Sequence, residues 1–167
     1  MRIEFDIIEQ WVSARARVLD LGCGDGRLLK KLSDKGCHTL GIEINPEKFN
    51  HCLKLGLNVI EQNMDEGLEN FPDASFDVVI LSQTLQALHH PDKVLEDTLR
   101  IGKEAIVAFP NFGNWRARFY LGIKGKMPVS KFMPYNWYDT PNIHFCTIKD
   151  FEQLCRERNI KILDKAV

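Results

Sequence analysis

"RVLDLGCGDGRLLKKL", residues Arg17 to Leu32, joins a short apolar run to a helical-looking one through three glycines at alternate positions, and this join decides the fold. "RVLDL" reads as a buried strand and "GRLLKKLSDKG" as a helix closed by Gly36, so the glycines occupy a strand-to-helix turn. Outward from that turn the pattern repeats. "HTLGIEI" is a second strand, followed by "NPEKFNHCLKLG", a helix with Asn45 as cap, Pro46 at its first position and Gly56 beyond its end. "NVIEQN" and "FDVVILS" are the third and fourth strands, "PDKVLEDTLRIG" is a helix running from Pro91 to Gly102, and "EAIVAF" is the fifth strand. Upstream, Ile7, Ile8, Trp11 and Val12 recur at helical spacing, which predicts an amphipathic helix over the first dozen residues. Strands apolar on both faces, alternating with helices, predict an α/β architecture: a doubly wound, mostly parallel sheet covered on both sides by right-handed crossovers.

After Phe109 the alternation stops. Residues 110–146 are rich in Gly, Pro, Asn and aromatics and are too long for an ordinary connection, so they are expected to form an insertion after the fifth strand. "TIKDFEQLCRERN" resumes a helix, with Thr147 and Asp150 in a capping-box pattern, and "IKILDKAV" reads as a sixth strand. No seventh strand is visible before Val167. With 167 residues, 44% of them hydrophobic, the chain is expected to be a single domain over 1–167 that carries the 110–146 insertion.

Charge and cysteine usage narrow the function. Lys and Arg number 22 against 23 Asp and Glu, a net charge of -1, which offers no global attraction to nucleic acid or to a membrane surface. The five cysteines are widely spaced, with no CxxC pair, which fits neither a disulfide framework nor a metal centre and predicts reduced thiols. The first residues show neither a cleavable leader nor a membrane span, so a cytoplasmic protein is expected.

What the glycine turn binds is decided by charge. In open α/β sheets the ligand lies beyond the carboxyl ends of the strands, against the first strand-to-helix turn. A dinucleotide calls for G-x-G-x-x-G and places its pyrophosphate on the helix N-terminus. Here Gly22, Gly24 and Gly26 follow G-x-G-x-G, and Asp20 and Asp25 flank the place where phosphate oxygens would sit. A carboxylate about 4 to 6 Å from a phosphate costs roughly 1 to 4 kcal/mol. The same carboxylates attract a nucleoside bearing a sulfonium and an ammonium.

"VLDLGCGDG" resembles the first motif of the Rossmann-like S-adenosylmethionine-dependent methyltransferases, and the likeness continues along the chain. Glu43 closes the second strand where that family places the acid that binds the ribose hydroxyls. Asn63, Met64 and Asp65, in "QNMDEG", follow the third strand where an acid or amide neighbours the adenine. Ser82 and Gln83, at the end of "FDVVILSQ", correspond to residues lying along the cofactor. The resemblance thus implies binding of S-adenosylmethionine or S-adenosylhomocysteine by Asp20, Gly22, Gly24, Gly26, Glu43, Asn63, Met64, Asp65, Ser82 and Gln83. Read without the resemblance, Glu43 is a surface acid, Asp65 a turn residue and Cys23 a small side chain that fits the turn.

Residues 110–146 carry Trp115, Phe119, Tyr120, Trp137, Tyr138 and further aromatics, together with Arg116, Arg118, Lys124, Lys126 and Lys131 against Asp139 as the one acid. Three readings of this basic aromatic island stay open: a second small core, a lid over a small-molecule substrate, or a docking face for a protein. The strings "FPNFGNWRARFYL", "GKMPVS" and "YNWYDTPNIHFCT" closely resemble the MetW family, over essentially the whole chain. That likeness implies a role in methionine biosynthesis alongside a homoserine O-acyltransferase. The alternative is an active small-molecule methyltransferase with an acceptor that the sequence does not name. Methyl transfer needs a base only when its acceptor arrives protonated, and His89, Tyr138 and His144 are the titratable candidates; no catalytic residue is assigned.

Overall fold

The computed structural model describes residues 3–130 and 134–166. The chain divides after Ala108 into two compact units, Met1–Ala108 and Phe109–Val167. The first contains α1 (Ile3–Trp11), β1 (Arg17–Leu21), α2 (Arg27–Asp34), β2 (His38–Glu43), α3 (Pro46–Lys54), β3 (Val59–Glu61), β4 (Phe76–Ser82), α4 (Pro91–Ile101) and β5 (Gly102–Ala108). Short 3-10 turns at Met64–Glu66 and Leu85–Ala87 follow β3 and β4.

All neighbouring strands are parallel, in the order β3-β2-β1-β4-β5. The chain therefore builds outward from β1 in one direction, then returns to build outward through β4 in the other. Strand order reverses between β1 and β4, and a crevice at the carboxyl ends of these two strands is the expected ligand position in such a sheet. Asp20 sits at that point, with Gly41 of β2 and Ile80 of β4 as its lateral partners.

Helices cover the sheet because their apolar residues recur on one face. Ile8 and Val12 at the end of α1, Leu28 and Leu32 of α2, and Val18, Val78 and Ile80 of the sheet form one continuous core, each at most 7% exposed. Trp11, expected to join this face, is instead 41% exposed. Full burial of one such aliphatic side chain contributes about 1.5 to 3 kcal/mol, so the α1–α2 layer is held by packing rather than by helix propensity. A second cluster, Cys23, Leu29, Cys52 and Leu57, seats the glycine turn on α3. The Asn45 side chain caps α3 by accepting from Glu47 N (3.0 Å) and Lys48 N (3.1 Å), with Pro46 at the first position. All five cysteines are free, and four of them are buried.

The second unit contains α5 (Trp115–Lys124) and α6 (Ile148–Glu157). Asn114 caps α5 by accepting from Arg116 N at 2.9 Å. Thr147 and Asp150 form the expected reciprocal capping box at α6. Phe109 with Phe151, and Phe112 with Phe145, make ring pairs at 5.1 Å, and Phe112 N donates to Cys146 O at 3.1 Å. These pairs gather part of the aromatic island, although Phe145 remains 46% exposed.

The expected sixth strand is a correction. Residues 160–166 have no ladder partner among the described residues, and Ile162 and Leu163 are 41% and 67% exposed. Their ties run to α6 instead: Ile160 N donates to Cys155 O at 2.7 Å and Lys165 Nζ to Glu152 Oε1 at 2.8 Å. Apolar alternation permits a strand, but only hydrogen bonding to a neighbouring strand makes one. Among the described residues no helix is long and apolar enough to cross a membrane.

Candidate functional site

The turn after β1 is built from backbone that ordinary residues avoid. Gly22, Gly24 and Gly26 have φ of +78°, +61° and +75°. Gly22 is required for contact as well: a Cβ there would lie 2.6 Å from Thr84 Oγ1, in the loop after β4. Gly24 differs, because a Cβ there would meet nothing within 4 Å. The turn therefore packs against the neighbouring loop at Gly22 and opens onto free space at Gly24.

Glu43 fastens the turn to β2. The residue is 6% exposed, and its Oε2 accepts from Gly24 N at 2.8 Å while Oε1 accepts from Ile44 N at 3.0 Å and Asn45 N at 2.8 Å. Gly22 N and Cys23 N both donate to Ile42 O at 2.9 Å. Gly41 lets the turn approach, since a Cβ there would lie 2.7 Å from Cys23 Sγ. The Cys23 thiol is pushed up by burial first and by the charge of Asp20 second, which keeps it protonated and unreactive.

Asp20 is the anomaly. It is 2% exposed, Oδ1 has no hydrogen-bond partner, and its pKa is pushed up to about 7 by burial and then by the nearby charge of Glu43. Ser82 Oγ and Gln86 Oε1 are also buried without partners. Gln86 Nε2 donates to Gln83 O at 2.9 Å, and Gln83 itself has φ of +59° and donates its N–H to Ala108 O at 2.7 Å. Ser75 Oγ is the fourth unpartnered buried atom among the described residues, so three of the four lie at or just beyond the carboxyl ends of β1 and β4. Buried polar groups are nearly always paired, and orphans gathered at one end of the sheet mark a place suited to a ligand or ordered water.

The remaining expected residues are placed as follows. Asn63 Oδ1 accepts from Asp65 N at 3.1 Å, and Met64 is 6% exposed. The Asp65 carboxylate accepts from His89 N at 3.0 Å and His90 N at 3.2 Å, which ties the Met64–Glu66 turn to the loop before α4. Asp25 is paired with Arg27 Nε at 2.7 Å, so the uncompensated negative charge beside the turn comes from Asp20 and Glu43 rather than from Asp20 and Asp25. His89 is exposed, while Tyr138, 71% exposed and edge-on to Trp137, and His144, also exposed, belong to the second unit. Thr84 and Gln86 are site residues that sequence reasoning missed; the polar pair set among the leucines of "TLQAL" was their one signal. An open depression of about 580 Å³ lies at the amino ends of β1 and β2, lined by Arg17, His38 and Leu53, at the opposite end of the sheet from the glycine turn.

Parallel order, a switch point at β1 and β4, and a glycine turn fastened by an acid at the end of β2 together define the Rossmann-like fold of S-adenosylmethionine-dependent methyltransferases. A methyltransferase of this class from Thermotoga maritima matches with a TM-score of 0.68 at 23% identity, covering 92% of this chain and 68% of that one. Residues 2–167 match the family described as methionine biosynthesis protein MetW, and the chain belongs to it. It is 33% identical, over its whole length, to the bifunctional methionine biosynthesis protein MetXA/MetW of Rhodopirellula baltica, of which it spans 28%. The ubiquinone biosynthesis O-methyltransferase of Paraburkholderia phymatum is 29% identical over 78% of this chain, and the chain spans 61% of that protein.

Proposed function

We propose that this protein binds S-adenosylmethionine or its demethylated product, S-adenosylhomocysteine, at the glycine turn and acts with a homoserine O-acyltransferase in methionine biosynthesis. The observation that carries the reading is Asp20, a buried carboxylate with an unpartnered oxygen beside a turn that opens at Gly24. A cationic nucleoside suits that donor set, because a nearby positive charge favours the ionised form that burial disfavours. A pyrophosphate would add negative charge where Asp20 and Glu43 already repel one another.

Each expected binding residue has a task in this reading. Gly22, Gly24 and Gly26 shape the turn, and Asp20 supplies negative charge beneath it. Glu43 holds the turn shut. Two carboxylate oxygens offer about four acceptor positions, so the three backbone bonds leave Oε2 one place for a ribose hydroxyl. Asn63, Met64 and Asp65 fix the loop after β3 beside the base, and Ser82 and Gln83 border the crevice at the end of β4. When bound, the sulfonium supplies an electrophilic methyl group; its presence does not by itself make this chain the catalyst.

Support for the partner comes from the Rhodopirellula protein, in which a MetW part and a MetXA part share one polypeptide; we read the MetXA part as the acyltransferase. A second reading, methyl transfer to a small-molecule acceptor of this protein's own, is favoured by the likeness to the ubiquinone biosynthesis O-methyltransferases. The two are separated by measuring homoserine acylation with and without this protein across a titration of S-adenosylmethionine. Acylation that rises with the protein and responds to the nucleoside supports the first reading. Acylation indifferent to the protein rejects it.

A further inference from the structure

We propose that the outward face of α5 is the surface on which the homoserine O-acyltransferase docks, an inference that rests on the partnership proposed above. A helix turns about 100° per residue, so Trp115, Phe119 and Ile123, spaced by four, share one stripe. They are 68%, 64% and 63% exposed. Ala117, about half a turn from the stripe, is the buried residue of the helix. Every residue of α5 except Ala117 is exposed, and the stripe of Trp115, Phe119 and Ile123 is its most exposed apolar part, against 42% and 38% for Tyr120 and Leu121.

The stripe is edged by cations. Arg116 flanks one side, with its guanidinium 5.4 Å from the centroid of the Trp115 ring, and Arg118 lies on the other side. Lys124 ends the helix, and "WRARFYLGIK" contains no acid. The element is pre-formed, with Asn114 capping its start and Gly125, at φ of +60°, closing its end by donating to Leu121 O at 2.9 Å. A capped helix presenting Trp, Phe and Arg along one side has the composition of an interface anchor.

The charge fixes the chemistry of the occupant: an apolar groove rimmed by Asp and Glu. A second copy of the chain fits poorly, because two-fold pairing through this face would set Arg116 and Arg118 of each copy against those of the other. The acyltransferase is the occupant, since the Rhodopirellula protein joins a MetXA part and a MetW part in one polypeptide, which keeps the two parts within reach of each other's surfaces.

The test uses the full chain and the homoserine O-acyltransferase of the same organism. Affinity is measured by sedimentation and calorimetry for wild type, for Trp115→Ala with Phe119→Ala, and for Arg116→Glu with Arg118→Glu. Melting temperature and the shift produced by S-adenosylmethionine serve as folding controls and are expected to stay unchanged. Truncating two anchors should weaken binding at least a hundredfold, and reversing the rim should slow association and reverse its response to salt. If wild type and both variants bind equally, the docking face is wrong and the partnership stands. If wild type does not bind, both fall. If the stripe instead drives self-association or binding to anionic lipid vesicles, lost in the Trp115/Phe119 variant without any loss of acyltransferase binding, the inference is overturned.

Discussion

Replacing Asp20 by Asn tests the electrostatics of the site through stability alone. The Asp20 pKa rises from 3.8 to about 7 on folding, driven by burial and then by Glu43. The folded state therefore holds this proton more tightly than the unfolded chain. The stabilisation is complete below about pH 4 and is lost as pH rises through about 7, at up to roughly 1.4 kcal/mol per pH unit. Over that window the shift amounts to about 4 kcal/mol. Asp20 is 2% exposed, so solvent screening offers little relief. Asn has the same shape and no charge; its amide brings a pH-independent cost, so the readout is the pH slope of the difference between the two proteins. Urea unfolding at pH 4.5 to 8.5 should show Asp20→Asn gaining on wild type by about 3 kcal/mol from the acid to the alkaline limit, the remainder of the shift lying below pH 4.5. A difference independent of pH, or one growing in favour of wild type, would refute the reasoning. S-adenosylmethionine at 100 times Kd should stabilise wild type by about 2.7 kcal/mol. At that same concentration Asp20→Asn should gain much less, because the ligand no longer meets a carboxylate.

Two further predictions concern the turn. Glu43→Ala strands the part-buried N–H groups of Gly24, Ile44 and Asn45 and should cost about 2 kcal/mol by urea unfolding; it should also move the Asp20 midpoint below 7 by removing the neighbouring charge. A loss under about 0.5 kcal/mol would show that Glu43 does not fasten the turn. Gly22→Ala drives a methyl to 2.6 Å from Thr84 at a positive φ and should cost about 2 to 4 kcal/mol, against about 1 kcal/mol for Gly24→Ala, where only the backbone objects. Gly24→Ala should nonetheless be the more damaging to nucleoside binding, because its methyl occupies the open side of the turn; the reverse order in calorimetry would place the ligand elsewhere.

The features legible in the sequence were those set by neighbouring residues. Asn45 before Pro46, and Thr147 three residues before Asp150, announce caps because the bonds they make span two or three positions. The β1 to β5 rhythm was legible because strands buried on both faces need apolar runs and crossovers need helices. α5 escaped because "WRARFYLGIK" stands inside an insertion rich in Gly, Pro and Asn, although Trp115, Phe119 and Ile123 recur at helical spacing. The acids show the same divide. Asp20, Asp25 and Glu43 look alike on paper, yet Arg27 claims Asp25, three backbone donors claim Glu43, and nothing claims Asp20 Oδ1. Which partner reaches a side chain across the fold is a tertiary fact that periodicity does not carry.

Natural sequences break local rules where function requires it, but a broken rule alone is a poor guide. Arg15, Ala74 and Asn159 have positive φ just as Gln83 does; Arg15 and Ala74 lie in loops before β1 and β4, and Asn159 follows α6 in the second unit. Ala74 shows why such strain is tolerated structurally: its N–H donates to Arg100 O at 2.9 Å, and Arg100 in turn holds Leu68 O, Phe71 O and Asp73, so one cation organises the whole loop. Gln83 is different in its company. Its strained backbone stands beside Ser82 and anchors Gln86, both with unpartnered atoms, and β4 places these beside the strand that carries Asp20. A fold that needed only stability would replace Asp20 with an apolar residue of similar size, since pairing or removing a buried charge is the cheaper solution. In the reading proposed above, the occupant of the crevice meets the retained charge and the orphaned oxygens, and the charge of Asp20 favours a positive one.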